Sequence, residues 1–336
     1  MKKKQDVFTK IIDEARMYGG KIVLPEADDS RIIEAAKIAS TSDLCTVILL
    51  GDESIEKNFT KKELKNIKII NPKFGTNYSE LYAQKLFELR KHKGMTLDKA
   101  KEAVKDNITY AMMMISSGDA DGVVAGATHE TAVVLRSAFQ IVGTKPGVSR
   151  VSSVFIMEMR EDSNLGENGM MVFGDCAVNI MPNDEELAEI AVLSAETAEK
   201  ICKIHPNVAL LSWTTRADEN FDNERIQTIK RAYKIARRKN PVLQIDGEMQ
   251  ADAALSPFVS EHKCPGSIVG GKANVLIFPD LYAGNIGYKL VQRIAGVRAV
   301  GPIMQGLNKP VNDLSRGTTA EEIVLNMAIT ILQSRR

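Results

Sequence analysis

The sequence predicts an α/β protein of two domains, each built on a mostly parallel sheet flanked by helices. Three observations predict this. Short apolar runs alternate with longer helical patterns along the chain. The runs are apolar almost throughout, as parallel strands covered on both faces must be. At 336 residues, the chain also exceeds what one compact core usually supports.

The strand candidates are residues 22–24, 46–50, 67–70, 122–125, 208–211, 242–245, 275–278 and 299–304. Between them lie readable helices. Asn183 followed by Asp184, Glu185 and Glu186 is an N-cap with an acidic first turn, and Leu187, Ile190, Ala191, Ser194, Ala198 and Ile201 then mark one helical face. Residues 224–239 end in a basic turn, Arg237-Arg238-Lys239, before Asn240-Pro241. No internal repeat or low-complexity segment interrupts the pattern. The turn-rich stretch Gly143-Thr144-Lys145-Pro146-Gly147 is the best domain boundary, and the loop from Gln305 to Pro310 is the second. The expected division is therefore 1–146 plus 305–336 for domain one and 147–304 for domain two, with the last helix returning to domain one.

Apolar residues make up 44 % and charged residues 26 %, the balance of a soluble globular protein. A formal net charge of +1 gives no reason to expect a nucleic-acid or anionic-membrane surface. Cys45, Cys176, Cys202 and Cys264 form no CxxC pair, so reduced thiols are expected rather than a disulfide framework or a zinc site. The basic start Met1-Lys2-Lys3-Lys4-Gln5-Asp6 is not followed by an apolar stretch of signal length. Nothing approaches the roughly 18 apolar residues of a membrane span. The expectation is a cytoplasmic protein without membrane or nucleic-acid partners.

Gly266-Ser267-Ile268-Val269-Gly270-Gly271-Lys272-Ala273 matches P-loop spacing, but Ala273 lacks the magnesium-holding hydroxyl. The following residues also read as a strand, so no helix amides face a phosphate. No GxGxxG fingerprint occurs. The four histidines show no metal spacing, and His129 reads as a loop or helix-start residue with a substrate contact as its functional option. Cys176 invites a covalent thioester role, but no histidine is adjacent in sequence and small buried cysteines are common near strands.

The informative segment is Lys309-Pro310-Val311-Asn312-Asp313-Leu314-Ser315-Arg316-Gly317, followed by Thr318-Thr319-Ala320-Glu321-Glu322. It reads as a loop joining the strand that ends at Met304 to a terminal amphipathic helix with Ile323, Met327 and Ile331 on one side. Ligands gather beyond the carboxyl ends of parallel strands, where this loop is expected. A plainer reading competes with a functional one: Thr319 with Glu322, or Thr318 with Glu321, has capping-box spacing. Arg31, Arg90, Arg136 and Arg293 stand in or after apolar helical patterns, where they are either solvated ion-pair partners or anion ligands. The apolar and small neighbours of Arg136 and Arg293 favour burial against an anion.

Taken together these segments resemble the phosphate acetyltransferases over nearly the whole chain. The stretches that carry the resemblance are PEADDSR, LRKHKG, DGVVAGATHETAVVLR, GDCAVN, DGEMQADAAL, GKANVLIFPDLYAGNIGYKLVQR and GPIMQGLNKPVNDLSRG. The resemblance implies two α/β domains related to the isocitrate dehydrogenase fold, a cleft between them, and a homodimer. It also implies the reaction acetyl-CoA plus phosphate giving acetyl phosphate plus CoA, by direct thiolate attack in a ternary complex. CoA, acetyl-CoA, phosphate and acetyl phosphate are then substrates, with no resident cofactor and no metal. By the same resemblance Ser315, Arg316 and Glu322 are catalytic, while Arg31, Arg90, Arg136 and Arg293 bind CoA or phosphate.

The chemistry suits these groups. A thiol with its ordinary pKa of about 8.5 benefits from a carboxylate that takes its proton. The oxyanion formed at the acetyl carbonyl needs donors such as Ser315 and Arg316, each typically worth about 3–4 kcal/mol in the transition state. The sequence departs from the family at Glu322, where aspartate is frequent, at Thr318, where cysteine is, and at Ala217-Asp218, where Gly-Ser is usual. The last change leaves acyl-chain preference open, with a phosphate butyryltransferase as the near alternative. An NAD(P) dehydrogenase on the same fold is the distant one, and it would require clustered aspartates for a metal.

Overall fold

Residues 7–335 are described by a computed structural model, and the basic Met1–Asp6 start lies outside them. Eleven strands follow in chain order: β1 (Lys21–Leu24), β2 (Thr46–Leu50), β3 (Ile67–Ile70), β4 (Gly122–Ala125), β5 (Ser152–Glu158), β6 (Met170–Gly174), β7 (Asn207–Leu211), β8 (Gln244–Met249), β9 (Val275–Ile277), β10 (Arg298–Gln305) and β11 (Val311–Asp313). The α-helices among the described residues are α1 (Val7–Tyr18), α2 (Ser30–Thr41), α3 (Ser79–Arg90), α4 (Leu97–Ala103), α5 (Asn107–Ser117), α6 (Thr131–Ser137), α7 (Asp184–Lys200), α8 (Glu224–Lys239), α9 (Ala251–Leu255), α10 (Pro257–Lys263), α11 (Leu281–Ile294) and α12 (Ala320–Ser334). The chain divides into two compact units, one ending at Pro146 and resuming at Leu307, the other Gly147–Gly306.

The first unit carries a five-stranded sheet in the order β11-β4-β1-β2-β3, parallel at every junction. Its central strand residues Ile22, Val23, Leu24, Val123, Val124 and Ala125 are fully buried, which requires cover on both faces. Helices α1, α2 and α12 pack together as one group, while α5 packs with α3 and α6. Expected to be amphipathic, α12 is instead buried nearly all round. Ile323, Met327 and Ile331 are inside, and so are Val324, Leu325, Ala328 and Ile329. It lies against β1, β4 and β11 as well as α1 and α2, so it has almost no solvent face.

The segment read as a loop contains strand β11. Val311, Asn312 and Asp313 pair in parallel with Val123, Val124 and Ala125. The Ser315–Arg316 loop therefore leaves β11, not the strand ending near Met304. Two of the three strand residues are polar, which hides the strand from an apolar-run reading. Asn312 tolerates full burial because its amide donates to Thr330 Oγ1 at 2.8 Å and Gln333 Oε1 at 2.7 Å, both on α12.

The second unit holds a six-stranded sheet, β10-β5-β6-β9-β7-β8. Strands β6, β9, β7 and β8 run parallel, while β10 and β5 add an antiparallel edge. Strand β10 extends through Gln305, and the chain stays with this unit to Gly306. Helix α7 starts with the expected cap: Asn183 Oδ1 accepts the Glu186 amide, and the Asn183 amide donates to Glu186 Oε2. The P-loop look-alike 266–273 runs through turns into β9, with no helix behind it.

Candidate active site

Three strands of the first sheet deliver their next residues to one edge: β1 leads to Glu26, β4 to Gly126–His129, and β11 to Ser315. Glu26 organises this edge. Its Oε2 accepts the amides of Gly126 and Ala127, each at 2.8 Å. Its Oε1 accepts the Thr128 amide and hydroxyl, the His129 amide, and a bond with His129 Nδ1 at 2.7 Å. Burial pushes this carboxyl upward, but the bonds from His129 and the three amides of Ala127, Thr128 and His129 outweigh it, and the net shift is down. The crossing of β4 onto β11 requires glycine at 126, where φ is +107° and a Cβ would lie 2.3 Å from Asp313 Oδ1.

Arg31, in the first turn of α2, straps the same edge. Its Nε and Nη2 engage both oxygens of Asp29, at 3.0 and 2.6 Å. Nη2 also donates to the Ala127 carbonyl at 3.0 Å. Nη1 reaches the Arg316 carbonyl at 2.6 Å and the Thr318 carbonyl at 3.2 Å. These acceptors use all five N–H groups of a guanidinium. The bond from Arg31 also holds the Asp29 carboxyl below its usual range.

Ser315, Arg316 and Gly317 are exposed, and Thr318 is buried. The Arg316 side chain is 71 % exposed and pairs with Glu130 at 3.6 Å, a loose surface contact that leaves most of its fork free. Glu322 closes a capping box with Thr319, accepting its amide at 3.0 Å on Oε2. The Thr318 hydroxyl donates to the same oxygen at 3.1 Å. Among the described residues Oε1 of Glu322 has no bond, so the cap leaves one carboxylate oxygen available.

Arg31, Ser315, Arg316 and Glu322 thus gather at one edge of one sheet. The other arginines do not join them through any bond. Arg90 ends α3, half-buried; Arg136 on α6 and Arg293 in the last turn of α11, on the second unit, are both exposed, contrary to the burial their neighbours suggested. Arg136 escapes burial because Val134 supplies the inward face of that short helix.

Sequence reasoning passed over two acids here. Glu26 was detectable only as the residue following β1, and Asp313 only once β11 is known to be a strand. Asp313 is 1 % exposed, its Oδ2 accepts the Thr131 hydroxyl at 2.5 Å, and its Oδ1 has no partner. Burial first, and then the charge of Glu26, raise its pKa to about 6 against the pull of Thr131.

In the second unit, Cys176 is fully buried, and burial followed by Asp175 pushes its thiol well up, which opposes a nucleophilic role. All four cysteines are buried, and none forms a disulfide. The unusual Ala217-Asp218 pair is anchored by Lys230 Nζ, which donates to both carbonyls, while the Ala217 amide donates to Glu248 Oε1 at 2.6 Å. Among the described residues no three His, Cys, Asp or Glu side chains gather as metal ligands. None of the helices there is long and apolar enough to cross a membrane.

The family model for "Phosphate acetyl/butaryl transferase" matches residues 6–331. The chain belongs to the phosphate acetyl/butyryl transferase family. Phosphate acetyltransferase of Thermoanaerobacterium thermosaccharolyticum is 48 % identical over 330 residues, 98 % of this chain and 99 % of that protein. The Clostridium acetobutylicum phosphate acetyltransferase is 43 % identical over 98 % of this chain and 99 % of its own length. A solved phosphotransacetylase from Streptococcus pyogenes superposes with a TM-score of 0.90 at 40 % identity, covering 98 % of each chain. Membership in the phosphate acetyl/butyryl transferase family makes the chain an acyltransferase. The exposed Ser315–Arg316 loop, set on a strapped sheet edge, gives such an enzyme a hydroxyl, a guanidinium and a carboxylate within eight residues.

Proposed function

We propose that this protein carries acetyl reversibly between coenzyme A and inorganic phosphate: acetyl-CoA + phosphate = acetyl phosphate + CoA. The near-full-length identity with relatives named phosphate acetyltransferase carries this reading. The geometry of the first unit supplies chemistry that fits. The CoA thiolate attacks the acetyl carbonyl of acetyl phosphate directly, with Arg316 and Ser315 donating to the developing oxyanion. Glu322, through its free Oε1, takes the thiol proton. Arg31 is better assigned to holding the loop than to binding a substrate, because its N–H groups are already used. Arg90, Arg136 and Arg293 remain the anion ligands for CoA and phosphate. They have no bonded partner in the described structure and can meet an incoming phosphate with paired donors.

The scheme calls for no resident cofactor, since CoA and acetyl-CoA are substrates. The enzyme is assigned to the cytoplasm on its four buried cysteines, none of them in a disulfide. A homodimer is supported by α11, where Tyr282, Ile286, Leu290 and Ile294 form an exposed stripe at four-residue spacing while Tyr288 on the same helix stacks on Phe155 inside. Sedimentation of Ile286→Glu as a monomer, with the parent as a dimer, tests that face. The activity itself is tested by CoA release from acetyl-CoA that depends on added phosphate, in chelator and without nucleotide. Release that requires a restored metal would overturn the scheme, and the ratio of butyryl-CoA to acetyl-CoA turnover fixes the chain length.

A further inference from the structure

Acetyl exchange between a thiol and a phosphate has two hydrogen-bearing partners, and Glu322 serves only the thiol. His129 lies on the neighbouring loop with a fixed orientation. Its Nδ1 is 2.7 Å from Glu26 Oε1, and its side chain is 37 % exposed. Glu26 also receives four backbone amides, which can only donate, so the carboxylate acts as an acceptor and is ionised. An ionised carboxylate has no hydrogen to give. The hydrogen of the shared bond must therefore sit on Nδ1, and neutral His129 keeps its lone pair on Nε2.

The His129 loop is tied to the Ser315–Arg316 loop in two places. Glu130, the next residue, pairs with Arg316. Arg31 bridges the Ala127 carbonyl to the carbonyls of Arg316 and Thr318. The ring is thus held on the same sheet edge as the proposed oxyanion donors.

We propose that His129 Nε2 is the acid–base group on the phosphate side of the reaction. This rests on the acetyl-transfer reading given above. Toward acetyl phosphate, a phosphate oxygen forms a bond to the acetyl carbon and the C–S bond breaks with its electron pair going to sulfur. The phosphate O–H hydrogen passes to Nε2, and the thiolate takes a proton from Glu322 or water. In the opposite direction Glu322 accepts the thiol proton, and protonated Nε2 returns its hydrogen to the departing phosphate oxygen. The charged groups around the ring are Glu26 beyond β1, Arg31 on α2, Glu130 next to His129, Asp313 at the end of β11 and Arg316 in the loop after it.

The test is His129→Gln, measured in both directions across pH. In acetyl phosphate synthesis the parent should lose kcat/KM for phosphate as pH falls, because protonated Nε2 cannot accept the hydrogen. His129→Gln should lack that acidic limb and run about 10²–10⁴-fold slower, with an unchanged Tm. A variant that keeps the limb and only raises KM for phosphate shows a binding role and overturns the proposal. The tautomer supplies an independent readout, because the chain has only four histidines. Imidazole ¹⁵N spectra should show two Nδ1–H rings, His129 and also His262, whose Nδ1 faces the Phe258 carbonyl at 2.7 Å; the His129 signal alone should vanish in His129→Gln, and an Nε2–H ring at position 129 refutes the arrangement. A parent with no phosphate-dependent CoA release would instead remove the acetyl-transfer reading and this inference with it.

Discussion

Arg31 Nη1 lies 2.6 Å from the carbonyl oxygen of Arg316, a bond that joins residues 285 positions apart. It couples the first turn of α2 to the loop that presents Ser315, and Asp29 fixes the guanidinium from the other side with two bonds. A bidentate, fully engaged arginine of this kind sets geometry.

Arg31→Ala should accordingly lower kcat by roughly a hundredfold through misplacement of the Ser315–Arg316 loop, with KM for CoA nearly unchanged. Arg31→Lys should recover little, since an ammonium cannot span the Asp29, Ala127 and Arg316 acceptors together. Asp29→Asn should weaken the same strap, and the double variant should fall short of the sum of the two effects. A rise confined to KM for CoA would identify Arg31 as a substrate ligand instead.

Arg316 has the opposite character, exposed and only loosely paired with Glu130. Arg316→Gln should cut kcat by roughly a hundredfold or more while CoA affinity changes less, as expected for a donor to a charge that exists only in the transition state. Steady-state constants for acetyl phosphate and CoA separate this from a binding role. A change limited to CoA affinity counts against it.

The legible part of this protein was its periodic part. Apolar runs exposed most strands of the two sheets, and the spacing of Asn183 with Glu186 and of Thr319 with Glu322 gave two caps that form as drawn. Strand β11 escaped because Asn312 and Asp313 make it two-thirds polar, and their burial depends on side chains of α12 and α6 that the local pattern does not show. The Glu26 cradle escaped for the same reason. A carboxylate at 26 and amides at 126–129 meet only after β1 and β4 have paired. Arg31 was legible as a residue of interest, but its role depends on where its N–H groups point, which no spacing rule reveals.

Asp313 makes stability depend on pH with a defined sign. Its folded pKa is about 6, above the value near 4 of an unfolded aspartate, so the fold favours the protonated form. That preference is fully present below about pH 4 and is lost as pH rises through about 6, at a cost on the order of 3 kcal/mol. Unfolding free energies of the parent and Asp313→Asn, measured from pH 4 to pH 8, should therefore diverge against the parent as pH rises. Parallel curves would mean that Oδ1 finds a donor in solution and that the acid ionises without penalty.

Glu322 must be tested for chemistry separately from capping, because the structure uses it as a cap. Its Oε2 accepts the Thr319 amide and the Thr318 hydroxyl, while Oε1 stays unbonded. In Glu322→Gln the amide oxygen can take over both bonds, so the cap survives and Tm should move little. The amide cannot take up a proton near neutral pH. If Glu322 is the base for the thiol, Glu322→Gln should slow attack of CoA on acetyl phosphate by about 10²–10⁴-fold. Glu321→Gln is the control: Glu321 is exposed and points about 100° round α12 from Glu322. It should keep near-parental turnover. Glu322→Ala completes the comparison by removing the cap as well, adding a loss of roughly 1 kcal/mol in stability to the same kinetic defect. Near-parental turnover in Glu322→Gln together with a lowered Tm in Glu322→Ala would confine Glu322 to its cap, and the thiol proton would then need another acceptor at this sheet edge.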